Sequence, residues 1–443
     1  MKGQMSFFDF SDEFQKMDSH YQLKKLSDYI DFAEIIPKQV RDRYYKQTGR
    51  PPYSIESMLS ALIIQKIYSI PTTELLVKFL ELSRPLKDFC GFTDSVPDAA
   101  TFTRFKQKLD EEDFKEILHQ LVKLTEPYLQ EIDPFDSSLL VLDTTGLEVP
   151  VKENNPKYFY SLKREVEKGA PNKPEHEIYA MTVANMPKYA KAEPKAKLSY
   201  TNGHFAYAYT GAVLTDGFGI VKDIELFKGQ KDSTTLKPIM ESFKNHQDIT
   251  NYKYFTADAG FDSTENYRYL FKDCSLKPVI SLNPRNSKEL DEKYNENGIP
   301  VCSKDNTLNF KFDGYCDKRK RLKWVCPLNK RENNYRFTTC QDPCTDSSYG
   351  RVIYTYPEDN YRVHTPIPRG SRLWNKIYNK RIVSEHAISR LKVPLNMGRL
   401  NVRDYHSVFA ELALAAIAQN VVALVACRSK FNDKIRSVRW LAA

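Results

Sequence analysis

Four residues late in the chain, Tyr378, Arg381, Glu385 and Lys392, are spaced so that a helix would gather them on one side. At about 100° per residue, Arg381, Glu385 and Lys392 fall within roughly 60° of Tyr378. The row presents a phenol, a guanidinium, a carboxylate and an ammonium. It borders an apolar stripe of Ile388, Leu391 and Leu395 that would pack on a core, and Pro394 ends or kinks the helix. Taken alone, Arg381 and Glu385 read equally well as an ordinary surface pair four residues apart. Two further carboxylates shift that reading. Asp143 ends the apolar run Leu139-Leu140-Val141-Leu142, and Asp258 ends the run 252–257. Each is placed like a residue at the C-terminal end of a buried strand. Two strand-end aspartates and one helical glutamate make a hard oxygen set suited to Mg²⁺, and a pair of such ions can clamp the attacking and leaving oxygens of a phosphodiester.

The spacing Tyr378-x2-Arg381-x3-Glu385-x6-Lys392 resembles the Tyr-Arg-Glu-Lys signature of bacterial insertion-sequence DDE transposases, which have a ribonuclease-H-like catalytic core. The resemblance covers residues 139–427 and extends more loosely to the N-terminal helical region. It implies that Asp143, Asp258 and Glu385 are the catalytic and metal-holding residues, with Mg²⁺ as cofactor and Mn²⁺ able to substitute. It also implies that Tyr378, Arg381 and Lys392 hold the DNA backbone. The activity it implies is cleavage of double-stranded DNA at the element's ends and joining of those ends to target DNA, by a homodimer on paired ends. A metal-dependent nuclease that cuts without joining shares this core chemistry. A domesticated copy that only binds DNA is the alternative from another class, against which the intact acidic and basic residues argue.

The elements that must position these groups are legible in outline. Residues 21–129 read as helical, with Ile55, Met58, Leu59, Leu62 and Ile63 at three- and four-residue spacing after Pro51-Pro52. Asp98 opens a short helix whose Arg104 and Lys106, with Thr101, Thr103 and Lys108, suit either a DNA reader or a solvated basic face, and the resemblance favours the reader. Beyond the Asp143 strand, residues 148–200 are rich in Lys, Pro and Ala and read as a loosely folded insertion. The runs 205–213 and 218–227 read as a hairpin with Asp216-Gly217 in its turn, which makes Asp216 a turn residue. A helix near 233–243, the Asp258 strand, a helix near 264–271 and a strand at 278–282 complete an α/β pattern that fits a ribonuclease-H-like mixed sheet. The divisions are thus 1–130 for a helical DNA-binding region, 131–282 for the first part of the core, 283–377 for a basic, Cys-containing insertion, and 378–443 for the catalytic and C-terminal helices.

Several neighbours compete for the same roles. Asp262, four residues after Asp258, is read as the cap of the helix expected from about 264. His204 and His386 lack a paired ligand at short spacing and are set aside. Trp324 lies beside Lys318, Arg319, Lys320, Arg321 and Lys323. In relatives with the signature an aromatic residue in this insertion stacks on a base turned out of the duplex, so Trp324 is a candidate DNA contact. The alternation Lys323-Trp324-Val325 favours a core role instead. Cys340-x3-Cys344 is a weaker zinc pattern than two close pairs, with buried free thiols as the alternative.

Composition sets outer bounds. The 443 residues allow two or three domains, and 66 Lys+Arg against 57 Asp+Glu, a net charge of +9, suit an anionic partner. Residues 1–20 lack the pattern of a secretory signal. The apolar stretch 412–427, broken by Gln419 and Asn420, reads as a buried helix rather than a membrane span. Eight cysteines without a signal suit reduced thiols. Together these place the chain in the cytoplasm, at the nucleoid.

Overall fold

The computed structural model describes residues 22–46, 51–283, 291–333 and 335–441; residues 1–20, read above as no secretory signal, lie outside them. Its organising element is strand β1 (Leu139–Glu148), whose first four residues are apolar and fully buried. The other strands of its sheet are β2 (Tyr189–Ala190), β3 (Glu193–Thr201), β4 (His204–Asp216), β5 (Val221–Phe227), β6 (Tyr254–Ala257) and β7 (Lys277–Ile280). The long β4 runs antiparallel to β1, while β6 and then β7 continue on β1's other side as parallel neighbours. β3 and β5 share the far edge of β4, giving a mixed sheet with β1 at its centre.

Side chains of β1 alternate between two layers, as the pleat requires. Leu140 and Leu142 join Leu236, Ile239, Met240 and Phe243 of a helix over Asp232–His246. Leu139 and Val141 join Val279, Ile377 and Val383 on the opposite face, where helices Arg372–Tyr378 and Ile382–Lys392 lie. Asp143 shares the parity of Leu139 and Val141.

The N-terminal helices and the end of the chain share one core. Helices Ile55–Ile67 and Glu111–Ile132 pack against Tyr405–Arg428, and buried residues from all three belong to a single cluster. Tyr405–Arg428 is long and apolar enough to cross a membrane, but nearly all of its most apolar stretch is buried inside the protein, as expected for residues 412–427.

Two expectations need correction. The segment 148–200 is folded: after β1 ends it forms helices Pro156–Gly169 and Glu175–Ala184 and then the edge strands β2 and β3. Its lysines and alanines form strand because β4 supplies a partner along 204–208, a non-local pairing that overrides weak local propensity. The stretch 378–392 is not one helix. Tyr378 ends one helix, a 3₁₀ turn covers Asn379–Arg381, and the next helix runs Ile382–Lys392. Within that turn Lys380 is tied to Asp136, beside the start of β1, and the Ser384 hydroxyl donates to the Arg381 carbonyl at 2.8 Å. The second helix stops before Val393-Pro394, as a proline demands.

The second insertion is a small β module. It has a three-stranded sheet of β8 (Lys311–Cys316), β9 (Arg321–Val325) and β12 (Val352–Thr355), with a hairpin of β10 (Asn329–Glu332) and β11 (Tyr335–Thr338).

Candidate active site

Asp143 is not at the end of its strand, as its apolar run suggests, because β4 carries β1 on to Glu148. What ends beside it is the parallel pairing with β6, whose last step joins Leu142 to Ala257. Asp143 and Asp258 are therefore the next residues on two neighbouring strands. Asp258 turns out of the sheet as the cap of a 3₁₀ turn over Ala259–Phe261, its side chain accepting from the Gly260 N–H at 2.8 Å.

Glu385 comes from the first turn of Ile382–Lys392, whose inward residue Val383 packs in the same layer as Leu139 and Val141. The exposed Glu385 side chain pairs with Arg381, so the ordinary helical pair does form. Its place gives it a second setting, because Arg381 and Glu385 both act on the charges of Asp143 and Asp258. Burial pushes the Asp143 carboxyl up to about 7; the charges of Asp258 and Glu385 add to this, while the Thr144 N–H and Arg381 oppose it. Asp258 is likewise raised, first by burial and then by Asp232 and Glu385, against the Gly260 N–H and Arg381.

Tyr378 stands at the near end of this row. Its ring stacks on Trp374 with centroids 4.5 Å apart, and the Arg381 guanidinium lies 6.0 Å from its centroid. Lys392 donates to Asn202 Oδ1 at 2.7 Å, and Asn202 in turn donates to Glu148 Oε1 at 2.6 Å. Burial lowers the Lys392 ammonium's affinity for its proton, partly offset by Glu148 and Asp143.

Asp232 is a carboxylate that sequence reasoning missed. It opens the helix Asp232–His246, where a carboxylate signals only a favourable helix start. Thr144, whose parity is that of Leu140 and Leu142, donates its hydroxyl to Asp232 Oδ1 at 2.6 Å. A Cβ at Gly260 would lie 2.9 Å from both Asp232 Oδ2 and Asp258 Oδ1, so the glycine keeps a cradle open between two carboxylates. A hard divalent cation fits this all-oxygen donor set. Among the described residues, no group of three or more His, Cys, Asp or Glu is already closed to metal-holding distances.

Two family comparisons bear on this constellation. Residues 10–108 match a transposase domain, and residues 134–421, well over half the chain, match a transposase DDE domain. The chain belongs to the DDE transposase family. Neither curated proteins nor solved structures give a match. As a DDE transposase it is an enzyme that acts on DNA, in a family that generally uses divalent metal ions.

Other candidate residues of the transposase fall elsewhere. Asp262 is not the helix cap: Ser263 is, accepting from the Asn266 N–H at 3.2 Å. Asp262 instead points into the core, where Arg362 Nε and Nη2 donate to it at 2.9 and 2.8 Å and the Asn283 N–H at 2.7 Å. Arg104 is exposed on the helix Ala99–Lys108, but Lys106 is turned inward onto Glu411, which also takes Lys66. Lys106 is therefore engaged by a half-buried carboxylate shared with Lys66. Trp324 is 4% exposed, packs with Phe310 and Leu322, and donates its indole N–H to Thr355 Oγ1 at 2.9 Å. No face of this ring is open to a base. Asp216 keeps the turn role read for it, accepting from the Phe218 and Ile220 N–H groups at 2.9 and 3.0 Å.

Proposed function

We propose that this transposase cleaves DNA at the ends of an insertion sequence and joins those ends to target DNA, with Asp143, Asp258 and Glu385 as its catalytic carboxylates. The observation that carries the reading is the convergence of three sequence-distant acids on one layer: two from adjacent parallel strands and one from the helix covering them. The strand order β5-β4-β1-β6-β7, three antiparallel strands followed by two parallel ones, supports a ribonuclease-H-like core.

Asp143, Asp258 and Glu385 would hold Mg²⁺ or Mn²⁺, which when bound supplies Lewis-acid activation of the attacking oxygen and stabilisation of the leaving one. The chain's own groups do the rest. Burial of Asp143 keeps water from screening charge at the site. Arg381 offers a forked donor set to a phosphate, and Lys392 a point charge. Tyr378, braced by Trp374, borders the same row. The reading includes the exposed Arg104 helix as a contact to end DNA and a homodimer on paired ends.

The test is to incubate the protein with Mg²⁺ and duplexes carrying the element's terminal repeats. Cleaved ends and strand-joined products support the proposal. Cleavage without joining would reduce it to a nuclease, and binding without cleavage would overturn it.

A further inference from the structure

Four of the five cysteines in the second insertion border a single cavity. Cys302, Cys326, Cys340 and Cys344 come from separate positions along the chain and line one cavity of about 260 Å³. The fifth, Cys316, is exposed at the end of β8 and is not part of it. Their placement follows one pattern. Cys326 is the residue after β9, Cys340 lies two residues beyond β11, Cys302 follows the bridge residue Val301, and Cys344 sits in the bend that follows Cys340. All four thiols thus stand on connections, while the strands between them form the frame.

The frame already fixes two of these positions. The Cys326 N–H donates to the Arg351 carbonyl, and the Cys302 N–H to the Leu308 carbonyl, each at 2.9 Å. Gly350, at φ +84°, lets the loop close over Cys326, since a Cβ there would come within 2.7 Å of the Cys326 Cβ. At the cavity rim Lys304 pairs with Asp342 at 3.0 Å, and the Cys340 thiol donates to the Asp342 carbonyl at 3.3 Å.

The module also needs a staple. Its buried apolar cluster consists of Phe310, Leu322 and Trp324, with a few half-buried neighbours. A core of that size rarely holds a small β unit together, and structural metals or disulfides are the usual supplement. All eight cysteines of the chain are unbridged.

We propose that Cys302, Cys326, Cys340 and Cys344 form a structural zinc site that closes the insertion. Four sulfur ligands and no open position make the coordination of a structural rather than a catalytic zinc. The sulfurs stand around the cavity without converging: among the described residues no group of three or more His, Cys, Asp or Glu is at metal-holding distance. Binding would turn these side chains inward from positions that no strand pairing occupies. Each thiol gives up its proton to solvent as it ligates, four per zinc, leaving a site of net charge −2 with the Lys304 ammonium at its rim.

The test uses the full chain, purified reduced and without chelator. Metal analysis should find one zinc per chain. Replacement by Co²⁺ should give tetrahedral d–d bands with thiolate charge transfer, and an organomercurial should release the zinc as four thiols react. Cys340→Ser/Cys344→Ser should lose the metal, and Cys316→Ser should keep it. Absence of zinc together with no cobalt spectrum on reconstitution would overturn the proposal. So would full stoichiometry in the double variant, or disulfides among these four cysteines that persist through purification under reductant. If the double variant does not fold, the cobalt spectrum and mercurial titration of the unaltered chain decide the matter.

Discussion

Asp143 and Asp258 each follow the last paired step of two parallel strands, Leu142 with Ala257, so one register places both carboxylates side by side. A slip of one residue in that register would send one of them to the opposite layer. Asp143→Ala, Asp258→Ala and Glu385→Ala should each reduce strand cleavage by at least about 10²–10³-fold, the range for removing one group from a preorganised electrostatic site. Binding to end DNA should stay within a few-fold. A gel assay that shows Mg²⁺-dependent nicking by one of the three at the parent rate would remove that residue from the catalytic set.

Asp262 makes the opposite prediction. It is buried against Arg362, so Asp262→Ala breaks a buried ion pair and removes the acceptor of the Asn283 N–H. The expected cost is about 3–5 kcal/mol, well above the ~1 kcal/mol of a lost helix cap. Denaturant unfolding distinguishes the two values. Ser263→Ala should show the smaller one.

Glu411 links the N-terminal helices to the C-terminal helix through Lys66 and Lys106. Although burial alone would raise it, the two ammonium groups hold its carboxyl down at about 2. Against an unfolded value of about 4.3, its contribution is present in full above that pH and is lost as the pH falls through 2, on the order of 3 kcal/mol. Glu411→Gln should therefore be less stable at pH 7, and the gap between it and the parent should shrink between pH 4.3 and 2. A gap that stays constant across that window would exclude this linkage.

On the helix Ala99–Lys108 the two basic candidates should separate. Arg104→Ala should weaken end-DNA binding and reduce the slope of log affinity against log salt by about 1. Lys106→Ala should lower stability and leave that slope unchanged. Equal slopes for the parent and Arg104→Ala would take this helix out of the interface.

Trp324→Ala removes a buried indole and its bond to Thr355, at an expected cost of about 3–5 kcal/mol. Nicking and later steps should fall together in proportion to folded protein. A selective defect after first-strand nicking would show that the ring leaves its core position during the reaction.

Local chemistry in the chain determined a good deal. The apolar runs before Asp143 and Asp258, the turn at Asp216, the stop before Pro394, and the burial of residues 412–427 follow from periodicity, turn residues and hydropathy, which act over a few neighbours. Tertiary structure decided what depends on non-local partners. Residues 193–201 became strand because β4 lay beside them. Asp262 turned to Arg362, one hundred residues away, leaving Ser263 to cap the helix. Lys106 turned to Glu411, 305 residues away. Asp232 entered the site through Thr144, and four cysteines on three connections came to line one cavity. A charged side chain's role depends on which opposite charge or hydrogen-bond partner the fold brings to it. Sequence spacing carries that information within one helix or strand and loses it at the first long connection.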